Sequence, residues 1–245
     1  MGSDGRRLIT KVTKATTITK NSLGFFFVSF VIFVCFVAQP WAVQQPGSAW
    51  PQFRGNPRLT GVATELPATL SLKWTYEGGE SFESSPAIAD GVVYAGAGNG
   101  DLLAIDLQSG KLRWKYATGN LLGESSPAVG GGLVYIGDLG GVLHAVHAKD
   151  GTKAWTFTTG SEIKSSPVIV GERVLIGSYD THLYALDRLT GKVAWKLKTD
   201  GQVHATPTVV NGVIYFGGCD ERFRAVRASD GVVLFQVGLD ANTGS

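Results

Sequence analysis

From Ser71 onward the apolar residues fall into short runs rich in Val, Ile, Leu and Tyr, each stopped by a glycine or a polar pair. Runs of four to seven residues with β-branched and aromatic side chains predict strands, because a helix at this hydrophobicity needs a longer run with a 3.6-residue period. In the first stretch the pattern predicts strands over about 85–89, 92–96, 101–106 and 111–117. Between the first two stand Asp90-Gly91, and the same place further on holds Gly131-Gly132, Gly171-Glu172 and Asn211-Gly212. Such pairs supply the positive φ of two-residue hairpins, so adjacent strands are expected to be antiparallel.

The pattern repeats. Trp74, Trp114, Trp155, Trp195 and Phe235 are separated by 40, 41, 40 and 40 residues. Pro86, Pro127, Pro167 and Pro207 each follow Ser or Thr, and Gly96, Gly137, Gly177 and Gly217 close an apolar run. Ala104, Ala145, Ala185 and Ala225 keep step, as do Gly110, Gly151, Gly191 and Gly231. Four copies are thus predicted, at about 78–117, 118–158, 159–199 and 200–237, within a repeat region 71–245. A four-stranded unit of about 40 residues cannot bury both faces alone, so units must stack, and radial stacking predicts an all-β propeller. The innermost strand of each blade then calls for small side chains. Ser85, Ser126, Ser166 and Thr206 fit that duty, and four serial equivalents argue against a nucleophile.

The segments Ala104-Ile-Asp106-Leu-Gln-Ser-Gly110-Lys-Leu-Arg-Trp114 and Ala185-Leu-Asp187-Arg-Leu-Thr-Gly191-Lys-Val-Ala-Trp195 resemble the tryptophan-docking motif of pyrroloquinoline-quinone (PQQ) repeats. The other two copies depart from it, with His147 and Arg227 in the Asp column and Phe235 in the Trp column. The resemblance implies that each indole packs on the corresponding turn of a neighbouring blade. It also implies a family of two kinds, quinoprotein dehydrogenases holding PQQ and usually Ca²⁺, and non-catalytic scaffolds of outer-membrane assembly. The dehydrogenases typically carry an adjacent Cys-Cys pair, which this sequence lacks. No catalytic residue, metal ligand or cofactor is therefore expected; PQQ with calcium enters only if a complete protein is a quinoprotein. Relatives of this repeat usually form eight blades. The 71–77 run reads as an outer strand without its own inner three, and the next Ser/Thr-Pro would fall at 246. Four blades plus one leading strand of an eight-bladed ring, with further C-terminal blades elsewhere, is the expectation.

Composition sharpens this in one respect. The chain of 245 residues has 22 Lys+Arg against 20 Asp+Glu, but Arg6, Arg7, Lys11, Lys14 and Lys20 precede an uncharged run from Leu23 to Ala38. Residues 1–42 read as an export signal or, with Trp41 to Val43 extending the run, as a membrane anchor over 23–43. Beyond them the net charge is −2, which gives no case for nucleic acid. A lead-in segment over 43–70 follows, and its Trp50-Pro-Gln-Phe53-Arg54-Gly55 resembles the corresponding segment of exported bacterial members. Cys219 would be a lone thiol in a periplasmic or extracellular compartment. His144 and His147, three apart on a strand, point to opposite faces and cannot chelate; with His182 and His204 they are expected at the surface. Asp138, Asp180, Asp220 and Glu221 are expected to be solvated turn residues. The expected function is an exported scaffold that binds proteins through loops or an edge. The alternatives are the front half of a PQQ-dependent dehydrogenase and a membrane-anchored sensor or adhesion domain.

Overall fold

The computed structural model describes residues 49–63, 68–78 and 81–239 of the chain. The expected signal or anchor lies outside the described residues. Among the described residues sixteen strands form four antiparallel sheets, each ordered as in the sequence. The first blade comprises β1 Ala87–Ala89, β2 Val92–Gly96, β3 Asp101–Asp106 and β4 Leu112–Ala117, and the second β5 Ala128–Gly130, β6 Leu133–Gly137, β7 Val142–His147 and β8 Lys153–Thr158. The third comprises β9 Val168–Val170, β10 Arg173–Ser178, β11 His182–Asp187 and β12 Val193–Lys198, and the fourth β13 Thr208–Val210, β14 Val213–Gly217, β15 Arg222–Arg227 and β16 Val233–Gly238. These are four consecutive propeller blades. The turns joining the first two strands of each blade behave as their composition requires: both residues are at positive φ in three blades, but only Gly171 is in the third, so Glu172 escapes the left-handed region.

Burial follows the stacking. One face of β2 and β3 in blade 1 packs on Val134, Ile136 and Val146 of blade 2. The same positions recur as Val174, Ile176 and Leu186 against blade 2, and as Ile214, Phe216 and Val226 against blade 3. Each junction is thus a small core between two sheets, and neither sheet has a core of its own.

Outer strands join these cores through tryptophan. The indole N–H of Trp114 donates to the carbonyl of Ala148 (3.0 Å), that of Trp155 to Arg188 (3.1 Å) and that of Trp195 to Ala228 (3.0 Å), always in the β3–β4-type turn of the next blade. Trp74 does the same toward Leu107 of blade 1 at 2.9 Å. The turn glycine is what lets the ring approach. A Cβ on Gly151 would lie 2.6 Å from the Trp114 ring, and Gly110, Gly191 and Gly231 face Trp74, Trp155 and Trp195 in the same way, all at φ between +70° and +76°. The alanine column is the cross-strand neighbour of the same ring: Ala104 pairs with Trp114, Ala145 with Trp155, Ala185 with Trp195 and Ala225 with Phe235. All four alanines are buried, and a bulge follows each pairing.

Asp106 and Asp187 brace their turns from within. Asp106 Oδ1 accepts from the N–H groups of Gln108 and Ser109, and Asp187 Oδ1 from those of Leu189 and Thr190. In the two divergent copies the acid stands just before the glycine instead, where Asp150 accepts from Thr152 and Asp230 from Val232. The turn survives because its main-chain bond, Gly151 N–H to His147 or Gly231 N–H to Arg227, does not need the aspartate.

The 71–77 segment corrects an expectation. It is not a strand, because no third strand stands beside it among the described residues to complete a ladder; side chains fix it to blade 1 instead, Trp74 and Tyr76 by packing and the Lys73 ammonium by donating to the Gln108 side chain. Phe235 differs likewise: no turn among the described residues receives it, and it is 49% exposed.

The indole seat can be tested by two alanines. Gly132 (φ +78°) and Gly151 (φ +72°) share the same backbone penalty, but a Cβ on Gly132 meets nothing within 4 Å. Gly132→Ala should cost about 1 kcal/mol in urea unfolding, and Gly151→Ala about 2–4 kcal/mol, the excess coming from overpacking against Trp114. Equal losses would show that the glycine serves only the turn.

Candidate functional site

The inner strands meet along the propeller axis, and a strand at a sheet edge presents unpaired N–H groups there. Two devices satisfy them. The first is a belt of hydroxyls: Ser85 N–H donates to Ser126 Oγ (3.1 Å), Ser126 N–H to Ser166 Oγ (3.0 Å), and Ser166 N–H to Thr206 Oγ1 (3.0 Å). Each blade is thereby tied to the next, which gives the recurrent serine its structural duty.

The second device is the lead-in segment. Trp50 exchanges two main-chain bonds with Ile88 in β1 (2.7 and 2.8 Å), Pro51 O accepts from Val129 in β5 (2.6 Å), Gln52 Oε1 from Ile169 in β9 (3.1 Å), and Pro57 O from Val209 in β13 (2.7 Å). One residue at the centre of every inner strand is met in turn. The segment turns through a short 3-10 element at Phe53–Gly55, where Gly55 at φ +83° lies against the Trp50 ring. Two prolines suit this path, since each offers a carbonyl and needs no acceptor of its own. This strap was not foreseen from the sequence: its acceptors are mostly carbonyls, which leave no side-chain signature, and only the buried Gln52 could have marked it.

Beside Phe53 the axis opens into a cavity of about 220 Å³ lined by Glu83, Glu124, Lys164 and His204, with the hydroxyl belt as its wall. Each of these residues stands two places before the belt residue of its blade. Glu124, Lys164 and His204 are engaged with one another, and Glu83 is not part of that set. His204 lies between Glu124 Oε2 (2.8 Å) and the Tyr179 hydroxyl (2.7 Å), while Lys164 sits 3.8 Å from Glu124 and 5.2 Å above the Tyr179 ring.

The remaining polar candidates lie in the blade junctions, and two expectations fail there. His144 is not at the surface but 3% exposed, with Nε2 bonded to Asp138 (2.8 Å) and Nδ1 to the Tyr116 hydroxyl of blade 1 (3.1 Å). Asp138 and Asp220 are buried rather than solvated, and Asp180 nearly so. In the third strand, the residue before the alanine is His144, Tyr184 or Arg224, and each takes a carboxylate from the preceding turn: Asp138, Asp180 (2.6 Å) and Asp220 (3.0 Å). Blade 1 has Leu103 there and no acid. The acid sits one residue after the strand-closing glycine for histidine and three after it for the longer tyrosine and arginine. Periodicity concealed this, because the partners occupy two columns. Of the other candidates, His182 lies 3.4 Å from Asp180, whereas His147 and Glu221 are exposed.

Burial pushes the Asp138 carboxyl up, but bonds from His144, the Val142 N–H (2.7 Å) and Asn120 (2.9 Å) outweigh it and hold the group below its ordinary range. A depressed carboxyl adds stability that is present above its unfolded pKa of about 4 and is lost as pH falls through the folded value. Asp138→Asn should therefore cost about 1–3 kcal/mol at pH 7, and the gap to the unaltered protein should shrink below about pH 4. A gap that stays constant down to pH 2 would mean that the carboxylate charge is not the source.

No group of three or more His, Cys, Asp or Glu among the described residues could hold a metal ion. Nor is any described helix long and apolar enough to cross a membrane.

Comparison with known proteins bears on this geometry. The sequence model of the family described as outer membrane protein assembly factor BamB matches residues 61–158 and 139–245. Comparison with the curated proteins returned no match. Among solved structures, BamB from Moraxella catarrhalis is similar at TM-score 0.65 and 23% identity, over 71% of this chain and 55% of that one. Quinohemoprotein alcohol dehydrogenase from Comamonas testosteroni is similar at TM-score 0.70 and 18% identity, over 78% and 41%. A europium-containing methanol dehydrogenase is similar at TM-score 0.70 and 15% identity, over 80% and 49%. The chain therefore spans about half the length of these relatives, and at such identities the likeness is one of fold.

Proposed function

Since the chain belongs to the BamB-type family of PQQ-like repeat propellers, we propose that it acts as a non-catalytic protein-binding scaffold of the cell envelope, exported by its N-terminal segment. One observation carries the choice over a dehydrogenase: the axis is already used. The strap crosses all four inner strands, and the mouth beside it is a 220 Å³ cavity whose Lys164 and His204 are engaged by Glu124. Small-molecule sites generally leave polar groups free to converge on the ligand, whereas here the lysine and the histidine are already engaged by a carboxylate. PQQ is a planar polycarboxylate, and two of the four ionisable side chains at this mouth, Glu83 and Glu124, are themselves carboxylates. The residues present do not fit it.

A scaffold needs only a rigid frame and variable loops, and both are here. The junction cores and the hydroxyl belt fix the blades, while the inter-blade loops differ in every copy. The repeat that makes the frame legible therefore leaves recognition to the positions that do not repeat.

Titration of the full chain with PQQ and Ca²⁺ should leave both its tryptophan fluorescence and its thermal midpoint unchanged. Saturable binding with a rise in midpoint would overturn the scaffold reading in favour of the dehydrogenase.

A further inference from the structure

The inter-blade loops share one main-chain link. The N–H of Gly98, Leu139, Tyr179 or Cys219 in the β2–β3-type turn donates to the carbonyl of Ser81, Leu121, Glu162 or Gln202 in the loop entering that blade, at 2.8–2.9 Å. The residue after the acceptor in the last three loops, Leu122, Ile163 or Val203, is buried, with Leu122 approaching Gly96, Ile163 approaching Gly137 and Val203 approaching Gly177. With that seat filled, the linked pair itself is free to vary. It reads Ser/Gly, Leu/Leu, Glu/Tyr and Gln/Cys, so only the second loop makes both members aliphatic.

Leu121 is 59% exposed, and nothing in the frame requires it, since its counterparts are Glu162 and Gln202. The same loop holds the extra residue that makes the repeat 41 instead of 40 there. Gly123 follows Leu122, and a Cβ on it would come within 3.1 Å of Leu139, so a larger residue would crowd this spot. Leu121, Leu122 and Leu139 line a groove of about 480 Å³ together with Ser81, Gly98 and Asn99. Glu83 stands in its wall, exposed and without an ion pair or hydrogen bond among the described residues. Glu124, half exposed, shares the neighbouring axial cavity with Glu83.

Leu121 and Leu139 beside an unpaired carboxylate in one groove select a definite occupant. We propose that this groove receives an extended segment of a partner protein in which an aliphatic or aromatic side chain is followed by Lys or Arg. The apolar side chain covers Leu121 and Leu139, and the cation meets Glu83. The inference rests on the scaffold reading and gives that scaffold a recognition site.

The test uses the full chain and end-capped, fluorescein-labelled peptides identical except for one pair: Leu-Lys, Leu-Glu or Ser-Lys. Fluorescence anisotropy should show the Leu-Lys peptide binding at least about tenfold more tightly than the other two. Leu121→Gln, the residue the fourth loop already carries, should erase that binding without unfolding the chain. Glu83→Lys should invert the preference toward Leu-Glu, a result that general loss of structure cannot produce. Equal affinity for all three peptides, no binding, or a preference untouched by Glu83→Lys would overturn the proposal. Such a failure leaves the scaffold reading standing if the PQQ titration is silent, whereas PQQ binding would remove that reading whatever the peptides do.

Discussion

The frame depends on one contact, an indole lying on a glycine. Each blade is a sheet about 40 residues long in sequence whose two faces need neighbours, and the outermost strand is the farthest from any axial bond. The tryptophan there reaches forward to the next blade, places its N–H on a turn carbonyl and its ring on a residue with no side chain. Three columns follow from that contact. Glycine recurs because the ring occupies the space of a Cβ, alanine because it is the ring's cross-strand neighbour, and aspartate, where present, because it braces the turn. An aromatic ring buries on the order of 200 Å², so a modest number of such seats stabilises a stack of thin sheets.

At the axis the problem is reversed. Inner strands of three residues crowd together, and the difficulty is unpaired main-chain groups, not uncovered surface. The hydroxyl belt ties neighbours pairwise, while the strap from Trp50 to Pro57 reaches all four blades. The junctions are thus held at both radii, by a ring on the outside and by hydrogen bonds within. Between these lie the acid pairs of His144, Tyr184 and Arg224, each differing from the others in size and charge. Each pair is internal to its own blade, and in the second blade it also reaches the first, through the Tyr116 hydroxyl on His144 and the Asn120 amide on Asp138.

What the sequence made legible was whatever repeats. Strand positions, hairpin pairs and the tryptophan, glycine and alanine columns recur at one spacing, so their physical duties add up in the text. The strap was hidden because it occurs once and bonds through carbonyls. His144 was misplaced because strand alternation says that it and His147 face opposite ways but not which face is buried, and the Asp138 that answers it sits in a different column from Asp180 and Asp220. The 71–77 run carried a true signal in Trp74, yet strand formation also needs a partner strand, which no local pattern supplies.

Repetition also provides an internal control that a single-copy fold lacks. A position that is polar in three junctions and aliphatic in the fourth cannot owe its chemistry to the frame, because the same frame stands without it elsewhere in the chain. Leu121 is such a position, standing where the other copies have Ser81, Glu162 and Gln202, whereas Leu122, equally apolar, is matched by Ile163 and Val203 and belongs to the core. Exposure alone would not separate these cases, as scattered surface leucines are ordinary. The comparison between copies does: it assigns Leu122 to folding and leaves Leu121 to recognition, one residue apart on the same loop.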